Sequence, residues 1–133
     1  MKVSALRRST FDDGVWREIP EFGVSVLVRA SNHLAYRGAV QAGLQPHQRR
    51  LRTGGMLPPG VNDRIVSRSV AKHLLLGWKG VEDDEGNELP YTLEKATELA
   101  EDPDYTEFFK AVERAGDDLA TMQAEERADL GNS

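Results

Sequence analysis

The chain has 133 residues, of which 39% are hydrophobic and 29% are charged. This is enough apolar material for one compact core, so we predict a single domain over residues 1–133. The longest apolar run, residues 74–76, is far shorter than the ~20 residues that span a bilayer, and the N-terminus lacks the apolar segment of a signal peptide. The chain contains no cysteine, which excludes disulfides, thiolate catalysis and zinc-ribbon sites. We therefore expect a soluble protein of the cytoplasm, without a membrane partner.

The charge is distributed unevenly along the chain. The net charge is −5, but residues 1–80 contain 13 Lys/Arg and 5 Asp/Glu, whereas residues 81–133 contain 4 and 17. Such polarity indicates either two electrostatically complementary parts of one fold or two surfaces that serve different partners. The sequence leaves both interpretations open.

The first predicted elements are two short antiparallel strands. Residues 15–19 and 24–28 are rich in β-branched and aromatic residues, and the valines of the second run share one face at the period of two. A lone hairpin is marginally stable in water, so helices are expected to cover its apolar face. The polar residues 1–14 are predicted to be flexible.

Two helices and a loop are predicted next. Ser31 or Asn32 is expected to cap a helix that Pro46 interrupts. The Gly/Pro-rich stretch 53–60 cannot form regular structure and is predicted to be a mobile loop. Asn62 is expected to cap a second helix, which continues to residue 74 with one apolar side.

A basic stripe follows the other side of this second helix, where Arg64, Arg68 and Lys72 are spaced four residues apart. Nucleic-acid-binding proteins use such stripes. However, the isoelectric point is about 5.2, and no aromatic residue alternates with these cations. The preferred interpretation is a contact face for a protein partner or for the acidic half of the chain itself. A nucleic-acid-binding accessory protein that uses the basic segment 29–79 is the alternative.

The acidic half is predicted to form two more helices. Thr92 is expected to cap the first, and Asp102 with Pro103 is a strong start signal for the second. This last helix is amphipathic to about residue 128, a length of about 40 Å, and a domain of this size is only about that wide. It therefore either bends at Gly116 or projects, and we expect projection with fraying over 123–133.

The apolar stripe of the last helix is the candidate partner-binding surface. At helical spacing such a stripe is more often part of the core, so packing within the chain is the rival interpretation for every member. The portion beyond residue 119 has less to pack against and is free to engage another chain. The residues predicted for partner or self contact are Tyr105, Phe108, Phe109, Val112, Leu119 and Met122.

No group of residues in the sequence points to catalysis or to a cofactor. The three histidines lie in different segments, and none has the spacing of a metal ligand or of a base beside a nucleophile. The acidic turn 82–87 does not match an EF-hand. With Gly86 at the sixth position of the calcium loop, Val81 falls at the first position, which needs a side-chain oxygen, and Thr92 falls at the twelfth, which needs a glutamate. We therefore predict a protein that is not an enzyme and that uses no metal or cofactor.

Together these elements predict an α+β fold dominated by helices. The small antiparallel sheet is expected to contain residues 15–28, with 78–91 as a candidate addition. Four to five helices are expected to pack against this sheet, the last of them long and amphipathic.

The region that begins at Gly77 also carries a resemblance to a known family. A Gly-Trp pair precedes an acidic turn with a glycine, then Leu-Pro-Tyr-Thr, a short helix and an acidic amphipathic helix. This order resembles tail assembly chaperones of long-tailed (siphovirus-like) bacteriophages or prophages. The resemblance is best over residues 74–133 and looser over 15–52.

The resemblance implies an assembly factor without catalytic activity. Such proteins coat the phage tape measure protein and keep its long apolar helical chain soluble, while a longer form made by ribosomal frameshifting recruits tail-tube subunits. The expected partners are therefore the tape measure protein and the tail-tube protein, with self-association in addition, in the host bacterial cytoplasm. Another phage structural or tail-completion protein is a further alternative.

Overall fold

A computed structural model describes residues 13–131, without the side chain of Leu130, and it begins with the predicted hairpin. Strand β1 (Val15–Ile19) pairs antiparallel with strand β2 (Val24–Val28). A short 3₁₀ turn joins the strands and ends at Gly23, whose φ of 66° is a left-handed conformation that glycine adopts without strain. The predicted flexibility of 1–14 falls almost entirely outside the described residues.

A third strand, β3 (Leu75–Lys79), completes the sheet in the order β1-β2-β3. It pairs antiparallel with β2, and the register shifts between Leu27 and Val28, which is a β-bulge. The third strand thus begins three residues before the predicted addition 78–91. The rest of that segment contributes an isolated bridge between Glu82 and Glu88.

Helices make up most of the described chain, which confirms the α+β, helix-dominated class with its small sheet and long C-terminal helix. Short 3₁₀ turns connect several of the helices, and the residues between α2 and α3 form no regular structure. The mobility predicted for 53–60 stays a prediction. The helices are α1 (Leu34–Leu44), α2 (Gln48–Arg52), α3 (Val61–Ser69), α4 (Leu93–Ala100) and α5 (Thr106–Gly131).

The two start signals predicted in the acidic half are confirmed. The Thr92 side chain accepts a hydrogen bond from the Lys95 backbone N–H at 3.0 Å and caps α4. The Asp102 carboxylate accepts one from the Asp104 backbone N–H at 2.9 Å, and Pro103 opens the 3₁₀ turn that leads into α5. Each cap satisfies an N–H that would have no partner inside the helix.

The caps predicted for α1 and α3 are wrong. His33 precedes α1 without a capping hydrogen bond from its side chain. The Asn32 side chain instead faces α5, where its Nδ2 donates to the Gln123 side chain at 2.8 Å. Gly60, at φ 79°, precedes α3 and turns the loop directly into the helix, so that Asn62 already lies inside it.

The helix predicted from residue 62 to residue 74 does reach Leu74, but its last turn is π-helical and not α-helical. A π-helical turn over Val70–Leu74 separates α3 from β3. The Leu74 carbonyl accepts a hydrogen bond from the Arg29 backbone N–H at 3.0 Å, and pairing with β2 begins at Leu75. Sheet pairing therefore takes over from the helix, while the predicted apolar side of this segment, including Ile65 and Val70, is buried as expected.

The core lies between the sheet and α5. Phe109, Val112 and Leu119 on α5 are fully buried with Val26 and Val28 of the central strand. A hydrogen bond from the Tyr36 hydroxyl to the Glu113 carboxylate at 2.8 Å also ties α1 to α5.

Gly116 of α5 has a packing role. The Ser31 backbone N–H donates to the Gly116 carbonyl at 3.0 Å, and a Cβ at Gly116 would lie 3.0 Å from the Arg29 carbonyl oxygen. Glycine therefore lets the helix approach the chain after β2 closely.

The end of α5 projects beyond the core, as predicted. The helix has 26 residues, about 39 Å at 1.5 Å per residue, and residues 124–129 are all exposed. The fraying predicted for 123–133 stays a prediction, and its last two residues lie outside the described part. Although α5 is long, neither it nor another helix within residues 13–131 is apolar enough to cross a membrane.

Candidate functional site

The segment that carries the family resemblance forms a structural cluster, here called the Trp78 cluster (Leu75, Trp78, Leu89 and Tyr91). The Trp78 side chain is 6% exposed, and its indole N–H donates to the Leu89 carbonyl at 2.7 Å. The Tyr91 ring packs edge-on against Trp78 with ring centroids 5.1 Å apart, and its hydroxyl donates to the Leu75 carbonyl at 2.9 Å. These residues hold the returning segment against β3.

The acidic turn inside this segment is held together by one of its own carboxylates. The Asp83 side chain accepts hydrogen bonds from the backbone N–H groups of Glu85 at 3.0 Å and Asn87 at 2.9 Å. The bond from Asn87 is the main reason why the pKa of the Asp83 carboxyl lies below its usual value. This supports the interpretation of a solvated turn. Across residues 13–131, no three His, Cys, Asp or Glu side chains come together as a metal site.

At the start of α5, Phe108 contacts Phe22 of the hairpin turn, and Tyr105 lies three residues before Phe108 in the 3₁₀ turn; we call these three residues the aromatic patch (Phe22, Tyr105 and Phe108). Phe22 is 45% exposed and Tyr105 is 43% exposed, while Phe108 is half-buried. The Phe108 ring packs edge-on against Phe22 at 5.8 Å and against Phe109 at 5.3 Å. A neighbouring ion pair between Arg114 and Glu21, 3.3 Å apart, also links the hairpin turn to α5.

Phe22 is not among the residues predicted for this surface. A large aromatic side chain within a Pro-Glu-Phe-Gly turn between two strands is a signal for it, because such a turn cannot bury the ring by itself. Its neighbour Phe108 lies far away in the sequence, so the patch itself requires the tertiary fold.

The predicted contact residues of α5 fall into two groups. Phe109, Val112 and Leu119 are fully buried in the core, so packing within the chain, the rival interpretation, accounts for their apolar character. Tyr105, just before α5, and Met122, near its projecting end, are each 43% exposed. Of the predicted contact residues, those that remain exposed to another chain therefore lie at the two ends of α5.

The basic stripe lies on a groove of about 940 Å³, which we call the α3 groove. Residues of α3 line it together with the C-terminal part of α1 and the junction of α4 and α5. Small or apolar residues such as Ala39, Gly43 and Ala100 contribute to it, and Arg64, Arg68 and Lys72 all lie along it. The predicted stripe is thus brought together on one concave surface.

The charges around the α3 groove are only partly paired. Arg68 makes two hydrogen bonds of 2.6 Å to the Glu101 carboxylate, which hold the pKa of Glu101 below its usual value. Lys110 lies 3.2 Å from Asp63 and 3.7 Å from Glu107.

Arg64 and Lys72 have no carboxylate within ion-pair distance in the described part of the chain. Two cations along the groove are therefore available to a partner.

The ion pairs only partly support the interpretation that the basic half of the chain, residues 1–80, pairs with the acidic half, residues 81–133. Arg68 and Glu101 join the basic and acidic halves in the sense that the sequence polarity suggests. The Lys110–Asp63 and Arg114–Glu21 pairs join the same halves in the opposite sense. The polarity of the chain therefore reflects surface charge more than internal pairing.

Breaking the Arg68–Glu101 pair is expected to have a small effect on stability. Both side chains are nearly half exposed, at 47% and 46%, and an exposed pair contributes about 0–1 kcal/mol. We expect Arg68→Ala to lower the free energy of unfolding by no more than that at pH 7. The difference should disappear as the pH falls through the lowered pKa of Glu101, since the carboxylate is then protonated. Urea unfolding at pH 7 and at stepwise lower pH measures both values; a loss at pH 7 well above this range would show that the pair is needed for the fold.

One comparison with known proteins identifies the chain. No curated protein and no solved structure matches it. A family model described as YdaY prophage protein matches residues 30–132, which include the basic stripe, the Trp78 cluster and all of α4. The match covers most of the chain, and the chain therefore belongs to the YdaY prophage protein family.

Proposed function

We propose that this prophage protein is a tail assembly chaperone without catalytic activity. It would bind the tape measure protein, keep it soluble in the host cytoplasm and help to recruit tail-tube subunits. Membership of a prophage family supports a role in a phage, and the resemblance over residues 74–133 supports the role in tail assembly.

The observation that carries this proposal is the aromatic patch. Phe22 and Tyr105 expose a large part of their side chains, although the chain has a core able to bury aromatic residues. Exposed aromatic side chains on a rigid support are typical of the centre of protein–protein interfaces. Phe108 provides this support because it packs between Phe22 and the buried Phe109.

A long apolar helix is a suitable partner for such a patch. A few aromatic side chains give each copy only modest affinity, but many copies along one long chain bind together through avidity. The net charge of −5 on each copy would keep the coated chain in solution.

The proposal is tested by expressing the chain together with the long helical protein encoded beside it in the prophage. We expect that protein to be soluble with the wild-type chain and to precipitate with the double variant Phe22→Ala/Tyr105→Ala. The matched control is Leu34→Ala/Met56→Ala, which removes two side chains that are each 84% exposed elsewhere. The soluble fraction is measured by quantitative gel analysis of cleared lysates.

Two results would contradict the proposal. One is equal precipitation with and without the wild-type chain, which excludes the chaperone role. The other is an equal loss of solubility with the control variant, which excludes the aromatic patch as the contact surface.

A further inference from the structure

The projecting end of α5 presents acidic side chains that the monomer does not use. Glu125, Glu126 and Asp129 are exposed, and none has a cation within ion-pair distance in the described region. Met122 lies three to seven residues before them and therefore on the same side of the helix. This side offers one apolar side chain followed by three carboxylates.

The α3 groove offers the complementary charges. Asp63, Glu101 and Glu107 also line the groove, but each lies within ion-pair distance of Arg68 or Lys110. Arg64 and Lys72, on either side of Arg68, are therefore the lining charges without an ion-pair partner among the described residues. Arg64 and Lys72 are eight residues apart, about 12 Å at 1.5 Å per residue, so together they extend over about the length of residues 122–129.

A chain cannot place its own acidic end in its own groove. Thr106 and Glu107, at the start of α5, line the groove. Because the helix is continuous to Gly131, Asp129 lies about 33 Å along the helix axis from Glu107 at 1.5 Å per residue. The acidic end can therefore reach such a groove only on a second copy of the chain.

We propose that the acidic end of α5, residues 122–129, binds in the α3 groove of a second copy. The two surfaces are different, so the contact is head-to-tail, and a bound pair still has one free groove, on one copy, and one free helix end, on the other. Contacts of this kind continue into open chains or close into rings. The proposal concerns the protein alone and does not depend on the tape measure protein.

The test is the mass of the purified chain in solution, measured by sedimentation velocity over a concentration series. At low salt we expect the wild-type protein to grow well beyond the monomer mass of 14.8 kDa as its concentration rises. At 0.5 M salt the association should weaken strongly, because exposed charges are then screened.

Charge reversal identifies the two surfaces. The tail variant Glu125→Lys/Glu126→Lys/Asp129→Lys and the groove variant Arg64→Glu/Lys72→Glu should each associate more than about tenfold more weakly than wild type. An equimolar mixture of the two should associate again, because every contact then joins opposite charges. The matched control Asp84→Lys/Glu85→Lys/Glu88→Lys makes the same change of charge in the acidic turn and the residue after it, and it should behave as wild type does. Circular dichroism melting confirms that each variant is folded.

The possible outcomes decide the proposal. Association that both variants lose and their mixture regains supports it. A wild-type protein that stays monomeric at low salt overturns it, as does association that the tail variant keeps. Equal loss in the acidic-turn control, or a mixture that does not associate, shows that overall charge rather than this contact is responsible and also overturns it.

Discussion

Replacing Trp78 by alanine is expected to lower the free energy of unfolding by about 3–5 kcal/mol, the cost of removing a large buried aromatic side chain. The ring is 6% exposed, and its loss would leave a cavity between β3 and the returning segment. It would also leave the Leu89 carbonyl without its hydrogen bond and remove the ring contact of Tyr91. For a chain of this size, we expect a midpoint about 10–20 °C lower in thermal unfolding.

The chain contains a matched control, because its other tryptophan lies on the outer face of the sheet. Trp16 is 43% exposed, and the Lys79 ammonium group lies 4.0 Å from its ring centroid. An exposed cation–π contact contributes about 0.5–1 kcal/mol, so Trp16→Ala should cost much less than Trp78→Ala. Trp78→Phe should fall between the two, since it keeps a ring but cannot donate to Leu89. Equal effects of the two alanine variants would contradict the assigned burial of Trp78.

Phe109→Ala is expected to have an effect of similar size, about 3–5 kcal/mol. Phe109 is fully buried at the centre of the core, where α5 packs on the sheet. The neighbouring variant Phe108→Ala should cost clearly less, because that ring is half-buried. Its main effect should instead be on the proposed binding of the tape measure protein, since Phe108 packs against Phe22 of the aromatic patch.

Urea unfolding followed by circular dichroism measures both phenylalanine variants. If Phe109→Ala unfolds like wild type, the residue does not belong to the core, and its predicted role in partner contact regains support. If Phe108→Ala is the more destabilising variant, the division between core and surface on α5 is wrong.

Local signals in the sequence predict much of the fold. The alternation of residues 24–28 predicts β2, and the side chains of Thr92 and Asp102 predict where helical structure begins in the acidic half. The periodic apolar residues up to Leu119 predict the buried face of α5. All of these features depend on neighbours within a few residues, so the local sequence pattern is sufficient to predict them.

Features that depend on distant residues could not be predicted. Asn32 has the side chain of a cap, but its amide binds Gln123, 91 residues away. The helix that was expected to run to residue 74 changes to a π turn because β2 is available to pair with Leu75. Gly116 suggests a bend, whereas its role is a close approach to Arg29.

The same reason limits the prediction of the functional surfaces. The spacing of Arg64, Arg68 and Lys72 predicts a stripe, but the groove needs residues of α1 and of the α4–α5 junction. The pairing of Arg68 with Glu101 joins residues 33 positions apart. Which cations remain available to a partner is therefore visible only in the folded chain.

The central claim is that this chain acts by binding the tape measure protein, and the most direct test is to purify the two proteins together. We predict that a tagged tape measure protein retains the chain through size-exclusion chromatography and that quantitative staining finds several copies of the chain on each tape measure molecule. Elution of the two proteins in separate peaks, at concentrations where both remain folded and soluble, would contradict the account.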